Sequence, residues 1–484
     1  MYSDCLRGIG ISALLMLLWG CGERSPTLDS QLQYWIDYHG IEGQQFTAAV
    51  DIHSAEARLG KLLFFSTSLS GSDDVACVTC HHPMMAGGDQ LPLPIGVGAI
   101  DRNVLGRERQ GNSKPLVPRN SPTTFNSSLW QRRMFYDGRI ERLQHSTAAH
   151  TTSGISTPDV RYGDIDSTVS SLIGAQAGFP VTSEHEMRST FNETASNQRI
   201  RRVLVENLVA DVERDRLAGR GDNSWDQLFL QLYPQEASRP LDELLDFERV
   251  QNLLSAYEQS QVFMDTPWNR YLLGDQAALS QRQKAGAVVF HTPVEQGGGG
   301  CVACHQGALL SDEEFHVLAV PHAGIGKDIN EEDTGRFLRT GIYDDRYAFR
   351  TPSLINIEHT APYGHSGVFD SLEAMIRHHL DPQQSVASFD FDALSQRQSG
   401  LVHPHSREFS NNALAQLTML RQQGNAILQD ARLSDQQIED LMAFMTALTD
   451  PCVESSRCLN PWLPNTGDAN PGGSLIGLDI STAG

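Results

Sequence analysis

Two stretches of the chain repeat one rhythm of apolar and polar positions. Ile52, Ala55, Leu59 and Leu62 recur at helical spacing in the first, and Leu279, Ala285, Val288 and Val289 do so in the second. Apolar residues three and four apart share one face of a helix, so each stretch predicts an amphipathic helix with a core-facing stripe. Each stripe runs into a related string, Gly-Lys-Leu-Leu-Phe at 60–64 and Gly-Ala-Val-Val-Phe at 286–290, then crosses a polar or glycine-rich loop to Cys-x-x-Cys-His at 77–81 and 301–305. This is an internal repeat of helix, loop and tight turn. Near the C-terminus, Ser434-Asp435-Gln436-Gln437 reads as a capping box opening a closing helix, whose apolar face carries Ile438, Leu441, Met442, Phe444, Met445 and Leu448. Met442 and Met445 read as core on that face. Asp450-Pro451 ends the helix, and the tail beyond is rich in Asn, Pro and Gly with little to build a core. Residues 160–275 are mostly helical in pattern, and Trp225, Phe229 and Tyr233 at i, i+4, i+8 read as packing.

Length and charge narrow the class. At 484 residues the chain exceeds what one hydrophobic core serves. With 40% hydrophobic and 20% charged residues it can fold without resembling a disordered chain. A formal net charge of -22 excludes nucleic acid as a partner, because phosphate neutralisation needs a Lys/Arg surface, and suits a basic protein better.

The first twenty residues set the compartment. Arg7 precedes the apolar run Ile9 to Trp19, too short to span a bilayer and long enough for the core of a signal peptide. The run ends in Leu18-Trp19-Gly20-Cys21, which resembles a bacterial lipobox and would anchor the mature chain to a membrane through a lipid on Cys21. An ordinary cleaved signal with a chance Cys is the alternative. Both place the mature protein in the periplasm, where thiols meet an oxidising environment. Of eight cysteines, Cys5 and Cys21 fall in the signal, and Cys77, Cys80, Cys301 and Cys304 in the two motifs. Cys452 and Cys458 remain, close enough for a small disulfide loop or left as two free thiols.

Cys-x-x-Cys-His is the attachment signal for haem c: two thiols bond the vinyl groups and the adjacent His is delivered to the iron. A zinc pair or a dithiol could explain one such motif; two point to two covalently bound haem c groups, on Cys77, Cys80 and His81 and on Cys301, Cys304 and His305. The expected fold is mainly α, with two cytochrome c-like haem domains. The divisions read as a signal peptide at 1–21, a linker at 22–45, a first haem domain at 46–275, a second at 276–450 and an irregular tail at 451–484. An iron with two strong protein ligands carries electrons, whereas an open one binds peroxide.

The strings that join these motifs make the resemblance specific. Leu59 to Phe65, Leu69-Ser70, Arg119-Asn120-Ser121-Pro122-Thr123 and Asp137-Gly138-Arg139 resemble the N-terminal half of the bacterial di-haem cytochrome c peroxidases, the family that includes MauG. Asp333-Thr334-Gly335-Arg336, Phe349-Arg350-Thr351-Pro352-Ser353-Leu354 and Thr360-Ala361-Pro362-Tyr363-Gly364-His365-Ser366-Gly367 are similar to its C-terminal half. The match covers about residues 50 to 450 and is weakest over 190 to 275.

The resemblance implies roles residue by residue. Phe179-Pro180-Val181-Thr182-Ser183-Glu184-His185-Glu186-Met187 matches the stretch carrying the distal acid/base, which makes Glu186 the group that moves a proton between the peroxide oxygens. Val97 stands where classical members hold a removable His, which implies an open first iron, with His82, Met84 and Met85 nearby in sequence. His82 also reads as a turn residue before Pro83. The sixth ligand of the second iron falls on His379, with His378 and Met375 as alternatives. Tyr136 stands where the family often places a Trp between the haems, and its oxidation is coupled to a proton. An interdomain calcium would use Asn120, Thr360 and Pro362. The implied activity is reduction of hydrogen peroxide, with electrons entering through the second haem from a small periplasmic donor, a cytochrome c or cupredoxin. A MauG-like oxidase acting on a protein or organic substrate and a pure electron-transfer cytochrome are the alternatives; a homodimer is compatible with each.

Overall fold

The computed structural model describes residues 27–478 apart from 113–116, 147–150, 193 and 466. The signal peptide and the lipid anchor expected at Cys21 lie outside the described residues. Helices dominate, and their starts follow local chemistry. Ser54 caps Ala55–Phe65 by accepting from the Ala57 amide, while Ser280 with Gln283 and Ser434 with Gln437 form capping boxes on Gln281–His291 and Asp435–Thr446.

Each leading helix of the repeat crosses a closing helix: Ala55–Phe65 packs on Phe247–Gln259, and Gln281–His291 on Asp435–Thr446. The crossings fall on Gly60 and Gly286, the same position of the repeat. A Cβ on Gly60 would lie 1.9 Å from the Leu253 carbonyl oxygen, and one on Gly286 1.8 Å from that of Asp440. Only a residue without a side chain lets the backbones approach so closely. Phe64, Phe65, Trp225, Phe229 and Tyr257 fill the core around the first crossing, and Trp268, Phe290, Leu441 and Phe444 that around the second. Met445 is buried there, as its place on the apolar face predicts. Trp225 and Phe229 are core residues of the helix Trp225–Leu232, whereas Tyr233 ends that helix and is partly exposed.

The helical pattern gave no sign of two small sheets. Arg133–Met134, Ile140–Ser146 and Thr151–Ser156 form an antiparallel three-stranded sheet in chain order, and Phe315–Val317 pairs with Ala348–Arg350.

The two ends of the chain also depart from expectation. Within the segment read as a linker, Leu28–His39 is a helix that buries Leu32, Trp35 and Ile36 and packs on Gln281–His291. The i, i+3, i+4 spacing of those three residues supplies the missing apolar stripe. The tail is irregular in backbone, yet Val453, Leu459, Leu475 and Ile476 are buried in it. Cys452 and Cys458 form a disulfide at its start. The tail then runs over the first half. Tyr257 donates from its hydroxyl to the Trp462 carbonyl at 2.8 Å, Lys61 Nζ to the Leu463 carbonyl at 3.0 Å, and the Ile476 amide to the Phe65 carbonyl at 3.0 Å. Backbone bonding of this kind orders a segment that its composition leaves poor in core residues. Among the described residues no helix is long and apolar enough to cross a membrane.

Candidate functional site

The first motif closes in a single 3-10 turn, Cys77–Thr79, with the Thr79 hydroxyl accepting from the Ala76 amide at 3.1 Å. His81 Nδ1 lies 3.2 Å from the Gly87 carbonyl and donates to it, which leaves Nε2 for a metal. His82 is committed elsewhere: its Nδ1 accepts from the Met84 amide at 3.0 Å, and its Nε2 is 3.4 Å from the Gly477 carbonyl. It caps the turn Pro83–Met85, as its place before Pro83 predicts.

Glu186 lies on a π-type turn, Glu184–Arg188, a wide form of helix turn found often at functional sites. Two glycines pinch this turn. The Gly71 amide donates to the Met187 carbonyl at 2.8 Å, and a Cβ on Gly71 would sit 2.0 Å from the Arg188 carbonyl oxygen. From the other side a Cβ on Gly96 would sit 2.3 Å from the His185 carbonyl oxygen and 2.5 Å from that of Glu186. Next to Gly96, the Val97 amide donates to the His185 carbonyl at 3.3 Å. Buried Arg109 fixes this loop by donating to the carbonyls of Ile95 at 2.6 Å, Gly96 at 3.0 Å and Val104 at 3.1 Å. Glu186 lies within electrostatic reach of Cys80 and His81 of the first motif, and of Lys327. Burial lowers the His81 pKa, and the Gly87 bond and the Glu186 charge oppose that shift.

The second motif repeats the turn at Cys301–Ala303, and His305 Nδ1 lies 2.9 Å from the Leu310 carbonyl. Opposite it stands His379 on the helix Leu372–Leu380, its Nδ1 2.9 Å from the Met375 carbonyl one turn back. The two rings have centroids 6.4 Å apart. A metal-imidazole bond runs about 2 Å, so two imidazoles on opposite sides of one metal put their centroids roughly 6 Å apart. His378, next to His379, has both nitrogens taken, Nδ1 by Ser385 and Nε2 by the Leu318 carbonyl, each at 2.9 Å. Burial pushes the His305 pKa down to about 4, helped by His379, which keeps both rings neutral and able to bind a metal.

These histidines line a cavity of about 560 Å³ together with Cys301, Cys304, Met375 and Met445. Arg350 lines it too, buried, its guanidinium 3.7 Å above the Trp130 ring. Burial pushes its pKa down to about 10. A buried cation on a largely apolar wall calls for an anion in the cavity. Tyr136, Asn120, Thr360 and Pro362 reach the same cavity, so the structure brings the expected relay residue and the expected calcium residues to one place. Asn120 donates from Nδ2 to the Leu91 and Pro92 carbonyls at 2.8 and 3.2 Å. That orients its side-chain oxygen away from those two carbonyls. Burial pushes the Tyr136 phenol up to about 12, against the pull of Arg350 and Arg119.

The seam between the halves is a charge network. Arg119 bonds Asp333 at 2.7 Å and Asp137 at 2.6 Å, all three buried. Arg336 donates to the carbonyls of Asp137 and Gly138 at 3.0 and 2.8 Å. Burial alone would raise the Asp137 pKa, but Arg119, Arg139 and Lys327 hold it well below the usual carboxylate range. Sequence reasoning picked out the strings that meet here without assigning them to a seam; it quoted Arg350 within one of them and noted the loop around Gly96 without giving either a role, and it missed Arg109 and Gly71. The run Gly96-Val97-Gly98 was the available signal for the pinched loop.

Residues 54–277 match a family model described as di-haem cytochrome c peroxidase. The methylamine utilization protein MauG of Methylorubrum extorquens is 27% identical over 334 residues, 69% of this chain and 71% of that protein. Cytochrome c551 peroxidase of Pseudomonas aeruginosa is 28% identical over 316 residues, 65% of this chain and 69% of that one. Over these residues the chain is similar to the di-haem cytochrome c peroxidase family. Like the relatives it is an oxidoreductase, and the family implies two haem c cofactors. Among solved structures, a MauG-like protein associated with microbial copper homeostasis shares the fold with a TM-score of 0.54 at 20% identity, covering 87% of this chain and 97% of that one. The diheme peroxidase BthA from Burkholderia thailandensis does so with a TM-score of 0.51 at 18% identity, covering 89% and 91%. The residues fit the cofactors: paired thiols beside histidines whose Nε2 is left for iron, and at the second motif a cavity of ligand size with a buried arginine suited to a propionate.

Proposed function

We propose that this protein reduces hydrogen peroxide at the first motif, with electrons delivered at the second by a small periplasmic redox protein. The observation that carries this reading is the asymmetry of the sixth positions: His379 stands across from His305, whereas the loop facing the first motif presents Val97 beside the Glu186 turn. Bound haem would supply redox-active iron at each motif. The protein's part is to leave peroxide room at the first and to move its proton. Glu186 takes the proton from one peroxide oxygen and returns it to the other as the O–O bond breaks, giving two waters for two electrons and two further protons. Gly71, Gly96 and Arg109 hold the carboxylate-bearing turn for that work. His305 and His379 would hold the second iron, which bound in this way would serve electron transfer. Tyr136, on the wall of the second cavity, would relay electrons toward the first motif, and Asn120, Thr360 and Pro362 would hold a calcium ion on that wall. Cys21 would tether the mature chain in the periplasm.

The Val97 position favours one second reading, a MauG-like oxidase in which an open iron needs no prior activation. Resting ferric protein should give one high-spin and one low-spin signal. Steady-state consumption of peroxide with a reduced cytochrome, set against organic and protein donors, then separates the readings. Two low-spin signals would sink both in favour of a carrier of electrons alone.

A further inference from the structure

Oxidation of Tyr136 releases the phenol proton along with the electron, so a relay through this residue needs a group that takes the proton and gives it back. The Tyr136 hydroxyl makes no hydrogen bond among the described residues. Three charged side chains bear on it: Arg350, Arg119 and Asp89. The two arginines are fixed cations and accept nothing. Asp89 remains.

Asp89 stands behind the wall on which Tyr136 lies. Residues 87–91 run alongside 120–124: the Thr124 amide donates to the Gly87 carbonyl at 3.1 Å, and Asn120 Nδ2 donates to the Leu91 carbonyl at 2.8 Å. Asp89 falls midway between these two bonds. On the facing segment Asn120, Ser121, Pro122 and Thr123 line the second cavity together with Tyr136. Asp89 is also within electrostatic reach of Cys80 of the first motif. It therefore sits in the partition between the Tyr136 cavity and the first motif.

The residue is 2% exposed. Its Oδ1 accepts from the Leu91 amide at 3.0 Å, while Oδ2 has no partner among the described residues. A buried acceptor left open is rare in folded proteins and calls for a proton. Burial pushes the carboxyl up to about 7, against the Leu91 bond and the Arg109 charge. The groups around it are thus Arg109, Cys80 and Tyr136. Arg109 is spent on the carbonyls of Ile95, Gly96 and Val104, and Cys80 carries no charge once joined to a haem.

We propose that Asp89 is the proton partner of Tyr136. As an electron leaves Tyr136 toward the first motif, the hydroxyl proton passes through a bridging water to Asp89 Oδ2, leaving a neutral tyrosyl radical. An electron from the second motif then reduces the radical, and the proton returns to the phenol oxygen. One electron crosses the partition and no proton is consumed. The proposal rests on the relay role given to Tyr136 in the proposed function.

The test uses the full-length holoprotein, reduced at both haems and mixed with hydrogen peroxide, with oxidation of the second haem timed by its low-spin band. In the wild type that phase should quicken about tenfold between about pH 6 and 8, as Asp89 loses its resident proton. Asp89→Asn should slow it roughly 10²-fold and flatten the pH profile. An indole can give up an electron and keep its proton, so in a Tyr136→Trp background Asp89→Asn should change the rate less than about twofold. Infrared spectra of the resting protein give a readout apart from turnover: a carboxylic acid band that titrates near about pH 7 in the wild type and is missing in Asp89→Asn. Haem content and the resting spectrum show that the variants are folded. A parental rate and pH profile in Asp89→Asn, equal slowing in the tyrosine and tryptophan backgrounds, or the lack of a titrating band would each overturn the proposal. Failure of the relay reading looks different: Tyr136→Phe would pass electrons at the parental rate while the titrating band remained, which would remove the relay and its proton partner together.

Discussion

The two motif pockets share a frame and differ in what closes it. In both, a glycine at the helix crossing lets a closing helix lie against the leading one, and the motif histidine bonds a carbonyl through Nδ1. The second pocket then presents His379 from a helix, its ring fixed by the Met375 carbonyl. The first presents Glu186 from a turn held between two glycines and beside a loop clamped by Arg109. A helix places an imidazole across from the second motif histidine; at the first motif the corresponding carboxylate rides on a turn pinched by two glycines. The two motifs are alike in sequence, so under the proposed function it is the segment brought to each motif that would separate an electron-transfer site from a peroxide site.

The largest test of that contrast is Glu186→Gln. Turnover with peroxide should fall on the order of 10²–10³-fold with both haems still attached, because the amide keeps the size and loses the proton acceptor. A parental rate would move the chemistry away from the first pocket. Next comes His379→Ala, which should convert one low-spin haem signal to high-spin in electron paramagnetic resonance while leaving the other haem as it was. His378 should not replace it, given its bonds to Ser385 and Leu318; a retained bis-histidine signal would break the assignment.

The shared frame can be tested by adding a methyl group on each side. Gly60→Ala and Gly286→Ala each drive a Cβ into a backbone carbonyl, and each should lower stability by roughly 3 kcal/mol, read as a drop in the melting transition. Equal drops sharpen the equivalence of the two crossings, and a drop on one side alone denies it.

The smallest effect probes a difference in the closing helices. Glu258 lies as far past the Leu253 crossing as Met445 lies past that of Asp440. Burial pushes its pKa up to about 8. Between the ordinary carboxylate value and that value the folded chain keeps a proton that the unfolded chain has lost. Wild-type stability therefore falls as pH rises through this window and is unaffected by the group below it. Glu258→Gln has no proton to lose, so its advantage over wild type should grow between pH 5 and 8, by on the order of 1 kcal/mol per unit. Parallel melting curves for the two proteins across that range would show that Glu258 is not held as a neutral acid.

The parts legible in the sequence were those fixed by short-range spacing. Each Cys-x-x-Cys-His sits within one turn, the stripe of each leading helix within three, and the Ser434 capping box within four residues. The parts that were not legible join distant segments. Arg109 reads as an ordinary surface arginine until the fold brings the carbonyls of Ile95 and Gly96 to it. Gly71 matters because residues 187 and 188 arrive beside it. The tail was misjudged because a core was sought in its side chains, whereas much of its order comes from backbone bonds to Phe65 and Thr67. His379 was already preferred over its neighbour His378 in the sequence; what only the fold adds is that His378 spends both nitrogens on Ser385 and Leu318.

The crossed ends of the chain also set an order in time. The segment from Ser474 to Gly477 belts the first motif, through the Thr67 and Phe65 backbones and the His82 ring, yet it is synthesised about 400 residues after it. A growing chain therefore carries Cys77 and Cys80 before that belt exists, and the first motif is cinched only when the tail arrives. Conversely, the helix Leu28–His39 is made early and waits for Gln281–His291 before it has a surface to rest on. Cutting the gene between the repeats would yield two fragments, each missing a piece that the other carries.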